Sequence, residues 1–222
     1  MKASSLSTLG SLLADDTRAE LLMVLMDGRA HTGGELARHV GVSASTASEH
    51  LAKLRLAGLV AVEAQGRHRY FRLSDSRVAE LVEAIGAAPV PGPRPGRAAH
   101  LAYARTCYDH LAGELAVRIY DQLLRDGHLR DGEHLELQPS GRDLLTALGA
   151  DLDATATPHR PAVRRCLDWT ERRHHLAGSA ATAVLQALEE RRWVVRGPRP
   201  RAVRLTRTGR AAVPAAFGLS GP

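Results

Sequence analysis

Seven residues on the C-terminal side of residue 100 carry side chains that bind metals or react as thiols. They form two sets, each with the order Cys-x-Asp followed by histidine: Cys107, Asp109 and His110, and then Cys166, Asp168, His174 and His175. Thiolate and imidazole groups are preferred ligands of zinc and of other soft metals. The two thiols alone could bind arsenite-like species or form a reversible disulfide. These residues are therefore the candidate metal or effector site.

The spacing within each set determines how the side chains could converge. Cys107 and His110 are three residues apart, so on a helix they would share one face. About six additional residues separate Cys166 from its histidines, so these converge only if the intervening chain forms a loop. If a pseudo-twofold axis relates the two sets, two cysteines and two histidines meet at its centre and suit tetrahedral zinc.

Two other interpretations of these residues stay open. Free cysteine is among the most buried residue types and Asp often caps a helix, so the sets could be structural. Alternatively, an organic ligand could bind in a pocket lined by aromatic side chains. These candidates are Tyr103, Tyr108, Tyr120 and Trp169.

The two sets belong to an internal duplication, because residues 105–128 resemble residues 165–192. Each copy contains Cys-x-Asp, then His-Leu-Ala-Gly, an amphipathic segment, an apolar extended segment and a Gly-Arg pair at Gly141 or Gly209. This pattern predicts a C-terminal effector domain over 100–222 with two winged-helix-like repeats, at about 100–150 and 160–218. We expect the order helix, helix, strands, helix in each repeat.

A segment rich in proline and glycine precedes this domain. Residues 87–96 contain four prolines and two glycines, a composition that no helix or central strand tolerates. We therefore predict a linker over 88–99 that separates an N-terminal domain, residues 1–87, from the duplicated domain.

The N-terminal domain has the pattern of a winged helix-turn-helix. Apolar spacing and capping residues predict helices over 16–28, 32–41 and 44–57, with Asp16 or Thr17 capping the first and Ser43 the third. Apolar segments 59–62 and 69–73 flank a turn at Gln65-Gly66, which predicts a β-hairpin, and Asp75 or Ser76 begins a last helix. The expected fold class is mainly α with small β-hairpins (α+β).

Four segments of this domain resemble the ArsR/SmtB winged-helix repressors. They are Asp16-Thr-Arg-Ala-Glu-Leu-Leu, Gly34-Glu-Leu-Ala, Ser45-Thr-Ala-Ser-Glu-His-Leu-Ala-Lys-Leu-Arg-Leu-Ala-Gly-Leu-Val60 and Gly66-Arg-His-Arg-Tyr-Phe-Arg-Leu73. The resemblance implies a homodimer that binds double-stranded operator DNA and releases it when an effector binds. Ser, Thr and Gly interrupt the apolar residues before Asp15, which makes a poor secretory signal, so we expect a cytoplasmic protein. Two metal sites of the family are missing: residues 34–40 contain no cysteine, and no histidine follows Asp75 before the linker. Sensing is therefore expected in the C-terminal domain.

The third helix is the candidate recognition helix. Its N-terminus favours phosphate, and its polar face offers donors and acceptors to base edges. Basic residues at the hairpin tip suit phosphate or minor-groove contacts. The predicted DNA-binding residues are Ser43, Ser45, Thr46, Ser48, Glu49, His50 and Lys53 on the helix, and Arg67, His68 and Arg69 on the wing.

Composition and missing motifs narrow the class of protein. The 44% apolar fraction is ample for a packed core, and no apolar run is long enough to span a membrane, so no membrane partner is expected. The chain contains no phosphate loop, nucleophile elbow or zinc-protease helix, which argues against an enzyme. The net charge of +6 fits a nucleic-acid partner, and a second DNA contact is conceivable in the Arg-rich segment 191–210. The alternative to an effector-responsive repressor is a constitutive DNA-binding or architectural protein.

Overall fold

A computed structural model describes residues 3–66, 68–87, 99–156 and 160–219 of the chain. The wing residue Arg67 and most of the predicted linker, 88–98, lie outside the described residues. The chain divides into two compact units between Val82 and Glu83. Among the described residues, no helix is both long and apolar enough to cross a membrane.

The first unit contains helices and one small antiparallel sheet. Its helices are α1 (Ala3–Leu13), α2 (Asp16–Leu25), α3 (Gly33–Val40), α4 (Ala44–Leu56) and α5 (Ser76–Ala87), the last of which continues into the second unit. Its strands are β1 (His31–Thr32), β2 (Val60–Gln65) and β3 (His68–Leu73), in the sheet order β1-β3-β2. The predicted helices and hairpin are confirmed. Helix α1 was not predicted. Strand β1 was not predicted either, because its two residues form a strand only through their pairing with β3.

Side-chain caps determine where the helices of this unit begin. Ser43 accepts a hydrogen bond from the backbone of Thr46 at the start of α4, as predicted. Thr32 and Glu35 form a reciprocal capping box at the start of α3. The prediction for α2 was wrong by one residue, because Asp15 rather than Asp16 or Thr17 accepts from the first turn.

The second unit repeats one order of elements twice. After α6 (Ala99–Ala102), the first repeat contains β4 (Arg105–Cys107), β5 (His110–Ala112), α7 (Glu114–Arg125), β6 (Leu129–Asp131), β7 (Leu135–Leu137) and α8 (Pro139–Ala147). The second contains β8 (Arg164–Leu167), β9 (His174–Ala177), α9 (Ser179–Glu190), β10 (Val194–Arg196), β11 (Val203–Leu205) and α10 (Arg207–Phe217). Helices with small antiparallel hairpins confirm the expected mixed fold class.

The first element of each repeat differs from the prediction. We expected a helix carrying Cys107 and His110 on one face, but the chain forms a hairpin in which these residues pair across β4 and β5. Tyr108 adopts a left-handed conformation at the turn, with φ of 60°, which a continuous helix excludes. Strands of three residues are too short to show the alternation by which a strand is recognised in a sequence.

Glycine explains the shared His-Leu-Ala-Gly motif. Gly113 and Gly178 have φ of 90° and 99° and precede α7 and α9 directly. A Cβ atom on these glycines would lie 2.7 Å from the Ala102 carbonyl oxygen and 2.6 Å from that of Ala162. Each glycine therefore allows a hairpin to turn sharply into the following helix.

The two repeats share one hydrophobic core. Helix α9 of the second repeat packs on β5 of the first, and α7 of the first packs on β9 of the second. Buried Leu115, Leu123, Leu185 and Leu188 belong to one continuous cluster. This exchange of helices and hairpins brings β5 and β9 together, and with them the two sets of cysteine and histidine residues.

Candidate metal centre and DNA-binding surface

Four buried side chains converge where the two hairpins meet. Cys107 faces His110 across the first hairpin, and Cys166 faces His175 across the second. One donor atom from each of the four residues lies within 4.8 Å of the others, and none of these side chains is exposed. The chain between Cys166 and His175 forms a loop, which brings these two side chains together as the spacing in the sequence predicted.

The sulfur–sulfur and nitrogen–nitrogen distances in this cluster match two edges of a tetrahedral site. The two Sγ atoms are 3.8 Å apart, and the two Nε2 atoms are 3.2 Å apart. With Zn–S bonds of about 2.3 Å and Zn–N bonds of about 2.0–2.1 Å, the edges of a tetrahedron are about 3.8 Å and 3.3–3.4 Å long. The spacing within the sulfur pair and within the nitrogen pair therefore fits a zinc-like ion, and the four donor atoms lie within 4.8 Å of one another, so binding would draw the two pairs closer together.

The two thiols are in different electrostatic environments. A hydrogen bond from the Cys107 thiol, together with hydrogen bonds from His110 and His175, holds the pKa of Cys166 far below its ordinary value. The same hydrogen bond to Cys166, together with burial, raises the pKa of Cys107 well above its ordinary value. One thiolate is thus favoured beside a protonated thiol, and a metal held by both sulfur atoms would have to displace the proton of Cys107.

The two imidazoles differ as well. Burial opposes a charge on His110, but the neighbouring Asp109 and Cys166 outweigh burial and raise its pKa. Burial dominates at His175 and lowers its pKa, so this ring favours the neutral form that binds metals.

Two carboxylates lie behind the imidazoles. Asp109 Oδ1 is 3.2 Å from His110 Nδ1, and Asp168 Oδ2 is 3.6 Å from His175 Nδ1. Each ring therefore turns Nε2 toward the cluster and Nδ1 toward a carboxylate. The sequence prediction grouped Asp109 and Asp168 with the ligands, whereas the structure places them outside the group of four.

His174 lies outside the cluster. It is exposed, whereas the adjacent His175 is fully buried. Both residues are on β9, and successive side chains of a strand point to opposite faces. The sequence could not choose between these two histidines because the strand register was unknown.

Sequence reasoning missed the arginines that hold the two carboxylates. Arg105 Nη2 lies 2.9 Å from Asp168 Oδ1, and both side chains are fully buried. Arg160 forms two hydrogen bonds to Asp109, of 2.5 and 3.0 Å. Arg160 precedes the second duplicated segment and Arg105 is the first residue of the first one, but many other arginines surround them in the sequence, so no local signal marked either residue as a partner of a carboxylate.

The aromatic residues of the organic-ligand hypothesis lie in different environments. Tyr103 is exposed, whereas Tyr120 belongs to the buried core. The Trp169 ring lies 4.8 Å from the guanidinium carbon of Arg105. The environments of these three side chains therefore differ from those expected of residues that line one shared ligand pocket.

Most of the predicted DNA-binding residues are exposed side chains of the first unit. The exposed ones are Ser43, which caps α4, then Ser45, Ser48, Glu49 and Lys53 on α4, and His68 and Arg69 on β3. Thr46 is half-buried, and its hydroxyl lies 2.8 Å from that of Ser43. Exposed hydroxyl, acidic and basic groups at the start of a helix can contact phosphates and base edges.

His50 differs from its neighbours on α4. Its Nδ1 lies 3.3 Å from Asp15 Oδ1 and 3.4 Å from Arg18, so the ring joins α4 to the start of α2. The side chain is 13% exposed. A DNA contact by His50 stays a prediction, and it would involve the exposed edge of the ring.

Comparisons with known proteins agree with this architecture. Residues 15–62 match the model of the family described as bacterial regulatory protein, arsR family. The HTH-type transcriptional regulator YdfF of Bacillus subtilis is 39% identical over 214 residues, covering 94% of this chain and 95% of YdfF. CmtR, an HTH-type transcriptional regulator of Mycobacterium tuberculosis, is 40% identical over 97 residues, covering 42% of this chain and 81% of CmtR.

Among solved structures, the transcriptional repressor BigR of Xylella fastidiosa is similar at 27% identity and a TM-score of 0.36, covering 40% of this chain and 91% of BigR. The similarity to YdfF extends over nearly the whole length of both chains, including the duplicated region. The chain belongs to the ArsR family of DNA-binding transcriptional regulators.

Proposed function

We propose that this regulator is a homodimeric repressor whose effector is a soft metal ion, Zn2+ or a similar ion. The ion binds in the C-terminal unit to Cys107, His110, Cys166 and His175. The observation that carries the proposal is the convergence of four buried donor atoms within 4.8 Å of one another. Two thiolates and two imidazoles are a common ligand set for tetrahedral zinc.

Charge balance supports a divalent ion in this site. The four side chains are almost fully removed from water. A buried site tolerates a net charge poorly, and two thiolates neutralise one divalent cation while the imidazoles stay neutral. Because ligand thiols must lose their protons, metal binding at this site is coupled to proton release.

The first unit supplies DNA binding in this proposal. The exposed face of α4 enters the major groove, and the wing contacts the flanking backbone. A homodimer places two such helices at half-sites about 34 Å apart. The metal acts by binding more tightly to one of two arrangements of the dimer. An effector that binds both arrangements with equal affinity would not shift the equilibrium between them.

The experiment that tests the proposal combines metal content with DNA binding. Protein purified without oxygen is analysed by native mass spectrometry, and its Zn2+ affinity is measured by competition with a chelator. Operator binding is then measured with and without Zn2+. We expect one ion per chain and weaker operator binding with the ion present. Protein that takes up no Zn2+ with both thiols reduced would contradict the proposal.

Replacement of both cysteines by serine separates the proposal from its alternative. A metal-responsive repressor with Cys107→Ser and Cys166→Ser keeps its operator affinity and loses the response to Zn2+. A constitutive DNA-binding or architectural protein has no response to lose.

A second candidate effector is an oxidant, and the 3.8 Å separation of the two sulfur atoms favours it. The two thiols would form one disulfide, losing two protons and two electrons to an oxidant such as a peroxide. A two-proton mass deficit after peroxide treatment, with a matching change in operator binding, would identify this mode. No deficit would leave the metal as the effector.

A further inference from the structure

Each imidazole of the metal centre is backed by a carboxylate that is in turn held by an arginine. In the first group Asp109 lies 3.2 Å from His110 Nδ1 and is bound by Arg160. In the second group Asp168 lies 3.6 Å from His175 Nδ1 and is bound by Arg105. We propose that Asp109 and Asp168 are positioning residues that raise the affinity of the site for its metal. The proposal rests on the metal site described under Proposed function.

The arginines reach across the duplication. Arg160 precedes β8 of the second repeat and binds Asp109 of the first. Arg105 is on β4 of the first repeat and binds Asp168 of the second. Each histidine is therefore oriented by a carboxylate of its own repeat and an arginine of the other. Neither repeat by itself contains a complete group of histidine, carboxylate and arginine.

A histidine that binds a metal through Nε2 is stabilised by a carboxylate near its Nδ1. A metal on Nε2 leaves the ring proton on Nδ1, which needs an acceptor when the ring is buried. His175 Nδ1 is a buried atom without a hydrogen bond in the structure. Asp168 Oδ2, at 3.6 Å, is in position to become its acceptor after a small movement. The carboxylate then selects one tautomer and orients the ring toward the metal.

Asp168 also has a structural role that any test must separate from positioning. It accepts hydrogen bonds from the backbone of Gly113 at 2.7 Å and of Thr170 at 2.9 Å. Its replacement would loosen the loop after β8 and the start of α7 together. Asp109 is the better probe, because its side chain is 22% exposed and its arginine partner is 21% exposed.

The chain offers a matched control for Asp109. Asp131 in the first repeat forms a partly exposed ion pair with Arg165 in the second. Substitution of Asp131 therefore removes an aspartate–arginine pair between the repeats but no carboxylate behind a ligand. A loss of Zn2+ affinity in both variants would reflect weaker packing of the repeats. A loss of Zn2+ affinity in the Asp109 variant alone would reflect a change at the metal centre.

The experiment compares full-length wild type, Asp109→Asn and Asp131→Asn. Zn2+ affinity is measured by chelator competition, thermal stability is measured without metal, and the visible spectrum of the Co2+ complex reports ligand geometry. We expect Asp109→Asn to bind Zn2+ about 10- to 100-fold more weakly, the range typical of outer-shell substitutions. We also expect an altered Co2+ spectrum for this variant, and wild-type behaviour from Asp131→Asn.

A second variant, Arg160→Gln, keeps the carboxylate but releases it from its partner. We expect a smaller loss of Zn2+ affinity in the same direction, which keeps the proposal testable if Asp109→Asn fails to fold. Equal Zn2+ affinity for wild type, Asp109→Asn and Arg160→Gln would overturn the positioning role while leaving the metal site intact. A wild-type protein that binds no Zn2+ would overturn the metal site itself, and the positioning role with it.

Discussion

Cys107 and Cys166 are 59 positions apart in the sequence, yet their Sγ atoms lie 3.8 Å apart in a buried cluster. Each cysteine belongs to a hairpin of its own repeat, and each hairpin packs against the helix of the other repeat. A duplication that exchanges its helices in this way builds one shared site from two copies of a short motif. The site therefore depends on the association of both repeats.

The first prediction compares two adjacent histidines on β9. Replacement of His175 by Ala removes one of the four ligands, so we expect Zn2+ affinity to fall by more than about 100-fold, beyond the range of outer-shell changes. Replacement of exposed His174 by Ala is the control and should leave Zn2+ affinity unchanged. The measurement is chelator competition. Loss of Zn2+ affinity in both variants would contradict the assignment of His175 as the ligand.

The second prediction concerns the glycine that joins β5 to α7. A Cβ atom on Gly113 would approach the Ala102 carbonyl to 2.7 Å at a φ of 90°. Gly127 also has a positive φ, of 71°, but a Cβ atom there meets nothing within 4 Å. Gly127→Ala should cost about 1–2 kcal/mol from the backbone conformation alone, and Gly113→Ala should cost more. Urea unfolding measures both, and equal costs would show that the close approach to Ala102 is harmless.

The third prediction is a pH dependence of the first unit. A hydrogen bond to Asp27 raises the pKa of half-buried His31, although burial alone would lower it. His31 Nε2 lies 2.9 Å from Asp27 Oδ2. A raised pKa in the folded state stabilises the fold below the ordinary histidine value of about 6.5. This stability is lost as the pH rises through the raised value.

The matching measurement is urea unfolding of wild type and His31→Gln from pH 5 to pH 9. We expect wild type to exceed the variant in stability by the largest margin at the acid end. The margin should shrink as the pH rises through the raised pKa. A margin independent of pH would show that the Asp27–His31 pair does not respond to protonation.

The fourth prediction separates phosphate contacts from general charge. Lys53 is exposed on α4, next to the predicted base-reading residues. Lys53→Gln should weaken operator binding and reduce the slope of log affinity against log salt concentration by about 1. Arg125→Gln removes an exposed charge from α7 in the other unit and serves as the control. An identical salt slope for wild type and Lys53→Gln would contradict the assignment of α4 as the DNA-contacting helix.

The sequence by itself determined the local structure of the first unit. Capping residues such as Thr32 and Ser43, together with the apolar spacing of Ala47, Leu51 and Leu54, define helices through contacts within a few residues. The same short-range signals predicted the hairpin of the wing. They missed β1, because its two residues pair with β3 nearly 40 positions later in the chain.

The sequence also identified the cysteines and histidines of the candidate site, since the duplicated motif marks them in both copies. Only the tertiary structure decided that Cys107 and His110 are on strands, that His175 rather than His174 faces the cluster, and that Arg160 and Arg105 bind the carboxylates. The reason is physical: strand register and inter-repeat ion pairs depend on contacts between distant segments, and a one-residue shift in register exchanges the buried and exposed faces.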